Sequence, residues 1–299
     1  RKRCPELEAV GYGGPKMAAA GCQLHTDLTQ LAIMAFVLAF LNLHKFLALL
    51  WRADRYFRDH RPDAVVLIDY PGFNWWIARR AKARGIPVFY YGTPQLWAWA
   101  GWRVRKMRRF VDHVICKLPF EVEWYAQRDC RATFVGHPFF DQLSQQTYDE
   151  TFLAEQRPRT GRLVTLLPGS RTQEVVFNLP TFLRAAARVQ TRLPEVRFAV
   201  ANYSERHANL SRELLSAMPE RERPRVELYV ERTQELMQLA DCCLACSGSV
   251  SLELMYHAKP TVILYRTTRR GMWFQHWLRT SNYITLVNLL AVKDRFRRG

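Results

Sequence analysis

Residues 163–175 read Leu-Val-Thr-Leu-Leu-Pro-Gly-Ser-Arg-Thr-Gln-Glu-Val, five strand-forming residues that run into Pro168-Gly169-Ser170-Arg171 and then a polar, helix-opening stretch. A parallel strand turning sharply into a helix leaves free backbone N–H groups and the positive end of a dipole at the turn. Gly169 lets an anion approach the backbone, Ser170 can cap the helix, and Arg171 can clamp two phosphate oxygens at once. Such a turn suits a diphosphate; the competing reading is an ordinary strand–turn–helix joint with a surface arginine. A second turn, Ser247-Gly248-Ser249, offers hydroxyls and N–H groups, and Glu253 follows one helical turn on, in reach of a ribose diol. A plain helix start with Ser249 as its cap explains the same residues. The third candidate is Asp69, a general base at the end of the apolar run Ala64–Ile68, or else an organiser of the Asp-Tyr-Pro-Gly turn.

These residues need strands to end where they stand, and the chain supplies them. Strands are expected at Ala64–Ile68, Val88–Tyr91, His113–Cys116 and Thr133–Val135, alternating with helices at Trp75–Arg84, Trp102–Phe110 and Glu121–Gln127. A loop or linker is expected over Ser144–Thr160. The pattern then restarts with strands Leu163–Leu167, Arg197–Val200, Arg225–Tyr229, Cys242–Ala245 and Thr261–Leu264. Between them fall helices Leu179–Arg192, Arg206–Met218, Gln234–Ala240 and Val250–Met255. Repeated βα units mean parallel sheets, and two such runs about one linker mean two doubly wound domains, 1–155 and 156–299, facing a cleft. Ligands in such sheets bind beyond the carboxyl ends of the strands, where Asp69, Gly169–Arg171 and Ser247–Ser249 lie.

Composition narrows the partners. The 299 residues carry a net charge of +17, which favours anionic partners: nucleic acid, phosphorylated metabolites or an acidic membrane face. Seven scattered cysteines suit a reducing compartment better than a disulfide framework. Cys243 and Cys246 have metal-site spacing but sit in the apolar run 240–246 with no second ligand pair, so they read as buried strand residues. No metal site is expected. No Asp-x-Asp occurs in the chain, so arginine and helix dipoles, rather than a metal held by paired carboxylates, would stabilise a leaving diphosphate. No cofactor is implied.

Residues 31–51 are almost continuously apolar, but Asn42, His44 and Lys45 interrupt them. A lone Lys at bilayer depth costs about 2.5–3.5 kcal/mol on the insertion scale, which argues against a span. A helix lying in the membrane interface avoids that cost, with Phe36, Leu43 and Leu47 as contact residues; a core helix is the alternative. The basic charge and the tryptophans, among them Trp75, Trp76, Trp273 and Trp277, favour the interface.

The motifs also resemble one family across nearly the whole chain, the bacterial lipid-A-disaccharide synthases. The matching segments are Gly13–Cys22, Pro62–Asn74, Gln95–Trp99, Leu118–Glu121, Gly136-His137, Leu166-Leu-Pro-Gly-Ser-Arg171, Cys246–Glu253 and Val287–Leu290, in the family's order. The resemblance implies an inverting GT-B glycosyltransferase. It would join UDP-2,3-diacylglucosamine to 2,3-diacylglucosamine 1-phosphate (lipid X) through a β-1,6 linkage and release UDP, in the cytoplasm, peripheral on the anionic inner-membrane surface. By resemblance Asp69 matches the candidate base, Arg171 and Asn288 match polar residues at the substrate site, and Ser247, Gly248, Ser249 and Glu253 match the nucleotide loop. Two positions depart from the family pattern: Gly72 stands where a second Asp is usual, and Ser249 where Thr is usual. The expected fold is therefore α/β with two Rossmann-like domains, the family's first strand and C-terminal helices being absent. The basic run Arg103, Arg105, Lys106, Arg108 and Arg109 would meet the substrates' phosphates, or else form a solvated face.

Two other readings stay open. One is a different enzyme on the same fold, such as a UDP-sugar 2-epimerase or another membrane-associated N-acetylglucosaminyl transferase. The other is a nucleic-acid-binding protein using Arg with Trp. The apolar segment 31–51 has no use in a nucleic-acid binder, so no nucleic-acid partner is expected.

Overall fold

The computed structural model describes residues 4–28, 43–264, 266, 281–283, 285–292 and 294–296. The chain divides into two compact units, Arg1–Tyr90 with Phe110–Asp112, and Tyr91–Arg109 with His113–Gly299.

The first unit opens with strand β1 (Val10–Gly13), short helix α1 (Pro15–Ala19) and strand β2 (Gln23–Asp27), the two strands pairing in parallel. Helix α2 (Leu43–His60), strand β3 (Val65–Ile68), helix α3 (Pro71–Ala83) and strand β4 (Val88–Tyr91) follow. Helix α2 buries Leu49, Leu50, Ala53 and Phe57, one stripe at helical spacing, and α3 buries Phe73, Trp75, Ile77, Ala78 and Ala81. Arg84 grips both carboxylate oxygens of Asp54 at 2.8 and 3.2 Å, a bond that holds the Asp54 carboxyl below the usual range. Helix α3 starts at Pro71 rather than at Trp75 as expected. The proline that looked like a breaker stands at the first helical position, where its missing N–H costs nothing. Strand β3 also differs from expectation: Leu67 is buried, but Val66 and Ile68 are exposed. Its apolar run is therefore covered on one face among the described residues.

The second unit contains a 3₁₀ turn (Gly101–Arg103), helix α4 (Val104–Phe110), strand β5 (His113–Cys116), helix α5 (Pro119–Ala126) and strand β6 (Ala132–Phe134). Helices α6 (Pro138–Ser144) and α7 (Glu150–Gln156) come next. The latter occupies the expected linker, because Asp149 caps it through the Phe152 N–H at 3.0 Å and Phe152 and Leu153 are buried. Then come β7 (Leu163–Leu167), α8 (Thr172–Arg192), β8 (Arg197–Asn202), α9 (Glu205–Ser216), β9 (Val226–Val230), α10 (Thr233–Leu239) and β10 (Cys242–Cys246). Helix α11 (Val250–Tyr256), β11 (Thr261–Leu264) and α12 (Leu286–Ala291) complete the described elements.

Strands β7 to β11 form a parallel sheet in the order β11-β10-β7-β8-β9. Counted within this sheet, that is the Rossmann order 3-2-1-4-5 read from the β9 edge, and its direction reverses between β7 and β10. Alternation along each strand feeds two cores. Leu163, Leu167, Ala199, Ala201, Cys243 and Ala245 pack with Phe152, Leu236, Met237 and Leu254 on one face. Leu166, Phe198 and Val200 pack with Val175, Leu179, Phe182 and Leu183 of α8 on the other. Cys243 and Cys246 are buried as expected for strand residues, and burial pushes their thiols up to about 12 and about 11.

Candidate nucleotide site

The topology brings the two anion-ready turns together. Strands β7 and β10 are direct partners, with Leu167 opposite Ala245, so the turns that follow them leave the sheet side by side at its reversal point. Gly169 has φ +125°, a conformation glycine adopts freely and other residues rarely. Asn178, from the second turn of α8, donates to the Pro168 carbonyl at 3.0 Å and pins the turn from beneath.

Ser170 does not cap the helix. Arg171 is the residue at the N-cap position, and the capping group is the carboxylate of Glu174, which α8 could recruit because it starts at Thr172 rather than at Leu179. Glu174 Oε2 accepts from the Ser170 and Arg171 N–H groups, both at 3.1 Å, and Oε1 lies 3.3 Å from Arg171 Nη1. The Arg171 side chain is otherwise open, 83% exposed. Glu174 was not among the expected site residues, although its place three after Arg171 is capping-box spacing.

At the second turn Ser247 is half-buried, and Gly248 and Ser249 are exposed. Ser249 precedes α11 without making a side-chain capping bond, so the reading of it as an ordinary cap does not hold. Ser251, inside the helix, donates its hydroxyl to the Gly248 carbonyl at 2.7 Å, a bond that ties the turn but caps no helix N–H. Glu253 stands on α11, where burial pushes its carboxyl above the usual range and a bond from Gln234 Nε2, 2.7 Å away, works against that shift. Gln234, at the start of α10, carried no local signal; only the fold brings it to Glu253. The two residues border a cavity of about 510 Å³ whose wall also includes Phe139, Gln142, Gln146 and Thr147. Helix α12, which carries exposed Asn288, packs on α11. Its start is capped by Thr285 Oγ1, which accepts from the Asn288 N–H at 3.3 Å.

Asp69 lies in the first unit. It and Tyr70 both have positive φ, 45° and 43°, and lead directly into Pro71. Two consecutive non-glycine residues in this region store strain of a kind that collects at functional sites. The carbonyl of Asp69 accepts from Asn74 Nδ2 at 2.6 Å and from the Tyr90 hydroxyl at 2.8 Å. The turn is therefore tied through the backbone, and the Asp69 side chain is exposed rather than desolvated at the end of a buried strand. Of the contact residues expected in 31–51, Phe36 lies outside the described residues, Leu43 begins α2, and Leu47 is exposed together with Trp51. Among the described residues no helix is long and apolar enough to cross a membrane.

Other family-matching segments also meet. Trp97 Nε1 donates to buried Glu121 at 2.9 Å, and Glu121 accepts the Lys117 and Leu118 N–H groups at 3.1 and 3.0 Å. Burial still raises the Glu121 carboxyl despite those bonds. On α4, Met107 is buried while Arg105, Lys106, Arg108 and Arg109 are exposed.

A Rossmann-ordered sheet with paired glycine–serine turns at its reversal point, preceded by a further parallel βα run, is the architecture of the GT-B glycosyltransferase class. The fold comparisons agree. The S. aureus MnaA–UDP structure aligns with a TM-score of 0.56 at 10% identity, covering 90% of this chain and 82% of that one. UDP-GlcNAc 2-epimerase from Neisseria meningitidis bound to UDP-GlcNAc aligns at 0.53 and 12% identity, covering 89% and 85%. These likenesses concern the fold alone. The family model for lipid-A-disaccharide synthetase matches residues 1–297. The lipid-A-disaccharide synthase of Trichlorobacter lovleyi is 34% identical over 288 residues, covering 96% of this chain and 74% of that protein. That of Alkalilimnicola ehrlichii is 35% identical over 295 residues, covering 97% and 76%. The chain belongs to the lipid-A-disaccharide synthetase family and is a glycosyltransferase of lipid A biosynthesis.

Proposed function

We propose that the chain transfers 2,3-diacylglucosamine from UDP-2,3-diacylglucosamine to the 6-hydroxyl of lipid X with inversion and release of UDP. The observation that carries this reading is the β7–β10 pairing, which sets Gly169–Arg171 beside Ser247–Ser249 in a chain of this family. UDP in the aligned S. aureus MnaA structure and UDP-GlcNAc in the aligned Neisseria meningitidis epimerase support a uridine nucleotide as the ligand of such a fold.

In this reading the acceptor oxygen bonds to the anomeric carbon as the bond from that carbon to the diphosphate oxygen breaks. The electron pair leaves on UDP, whose growing charge Arg171 and the turn N–H groups stabilise. Asp69 takes the hydroxyl proton; its exposed carboxylate is spared any structural duty by the backbone ties of its turn. Glu253 accepts from the ribose hydroxyls, Ser247, Gly248 and Ser249 hold phosphate, and Asn288 contacts substrate. The exposed face of α2, with Leu47 and Trp51, supports peripheral contact with the anionic membrane through segment 31–51, Phe36 and Leu43 included. A division into domains 1–155 and 156–299 is our reading of the β7–β11 sheet beginning at Leu163, with Phe152 of α7, just before that boundary, packing on the same sheet. Incubation of the protein with both diacylated sugars, followed by mass spectrometry, should show the tetra-acylated disaccharide 1-phosphate and equimolar UDP. An epimerised UDP-sugar, or no coupled product, refutes the assignment.

A further inference from the structure

We propose that Glu174 is a built-in stand-in for the leaving diphosphate, a carboxylate that fills the β7–α8 turn when the site is empty and yields its donors to UDP. The proposal rests on the reading of this turn as the diphosphate site.

Three donors a diphosphate would need converge on this single side chain: the Ser170 N–H, the Arg171 N–H and the Arg171 guanidinium. One carboxylate satisfies all three at 3.1–3.3 Å. The turn is shaped around it, since a Cβ at Gly169 would lie 2.5 Å from both Glu174 Cβ and Oε2. The carboxylate also sits at the joint of the two turns. Its charge raises the thiol of Cys246, the last residue of β10, after burial has done most of that work, while Arg171 lowers it.

A diphosphate cannot share this arrangement. Its charge repels a carboxylate at hydrogen-bond distance from the same donors, and each N–H has one hydrogen to give. The Glu174 side chain is 30% exposed, so rotation of its outer torsions can carry the carboxylate into solvent without moving α8. The consequence is competition. The empty turn stays satisfied and keeps its shape, UDP binds less tightly than it would to bare donors, and the returning carboxylate helps expel UDP after transfer. For an enzyme that must release a charged product each turnover, that is a positioning device acting through Arg171 and the turn.

The test compares UDP affinity by calorimetry at fixed ionic strength for the wild type, Glu174→Gln and Glu174→Asp, with melting temperature recorded for each. Gln keeps length and loses the charge; Asp keeps the charge but is too short to reach both N–H groups. Both variants should bind UDP about three- to tenfold more tightly, because hydrogen bonds to a charged acceptor are roughly twice as strong as neutral ones and the competitor is weakened. UDP should also become a stronger product inhibitor in both. A Glu174 that only caps α8 predicts lower melting temperatures with unchanged or weaker UDP binding, and that result overturns the proposal. If one variant fails to fold, the other decides by the same criterion. If the wild type binds no UDP at all, the nucleotide-site reading itself fails, which is a distinct outcome.

Discussion

Replacing Gly169 by alanine perturbs the candidate site at one carbon, and the structure sets the size of the effect. Gly169 sits at φ +125°, where an L-residue is held at a cost of about 1–3 kcal/mol. The added methyl carbon would also lie 2.5 Å from Glu174 Cβ and Oε2. The carboxylate end can swing away, but Cβ is fixed to α8, so an overpacking cost at the lower end of about 1–3 kcal/mol remains. Together about 3 kcal/mol of stability should be lost. At about 2–4 °C per kcal/mol, the melting temperature should fall by roughly 6–12 °C. Gly248→Ala is the internal control. Among the described residues no heavy atom stands within 4 Å of its added Cβ, and its φ is not positive, so its stability should stay within about 0.5 kcal/mol of wild type. Scanning calorimetry on the two variants and the parent measures both. Equal melting temperatures for the two variants would refute the reasoning, since Gly169 and Gly248 differ in backbone conformation and in neighbours but not in side chain.

Arg171→Lys keeps the charge but loses the two-pronged geometry, so turnover should fall by about 10²–10³, as when one transition-state charge stabiliser is removed; near-normal turnover places Arg171 outside the phosphate site. Asp69→Asn should melt like the parent, because the turn is held through the Asp69 carbonyl and asparagine tolerates positive φ, yet lose about 10²–10⁴ in turnover. Loss of stability with normal turnover in the folded fraction would make Asp69 structural. Glu253 has a folded-state pKa raised by burial, so the unfolded chain releases this proton first as pH rises and the native state loses stability through the range above pH 4.5. Glu253→Gln, which has no proton to lose, should therefore gain melting temperature relative to wild type as pH goes from 4 to 7, and a difference that does not change with pH argues against the burial effect.

Much of this protein was legible in the chain because the relevant forces are local. The strands at His113–Cys116, Leu163–Leu167 and Thr261–Leu264 fall where their apolar runs and flanking turns put them. Local signals can also be misread: Pro71 looked like a break and is the first helical position of α3. The Gly-Ser-Arg and Ser-Gly-Ser turns were recognisable as anion-ready, since glycine, hydroxyls and arginine carry that chemistry wherever a strand ends. Their adjacency was not recognisable. It depends on β10 crossing back to pair with β7, past the intervening β8 and β9, and pairing between strands some 80 residues apart has no trace in either strand's own sequence. The same holds for Gln234 against Glu253 and for Trp97 against Glu121. Glu174 is the intermediate case. Its spacing from Arg171 is local, but its occupation of the diphosphate turn follows from where α8 begins, and Asn178 holding Pro168 helps place that turn. Residue types determine what chemistry is possible at a strand end, through backbone preferences and side-chain groups. Which strand ends become neighbours is decided by burial of the two sheet faces, a property of the whole assembled layer.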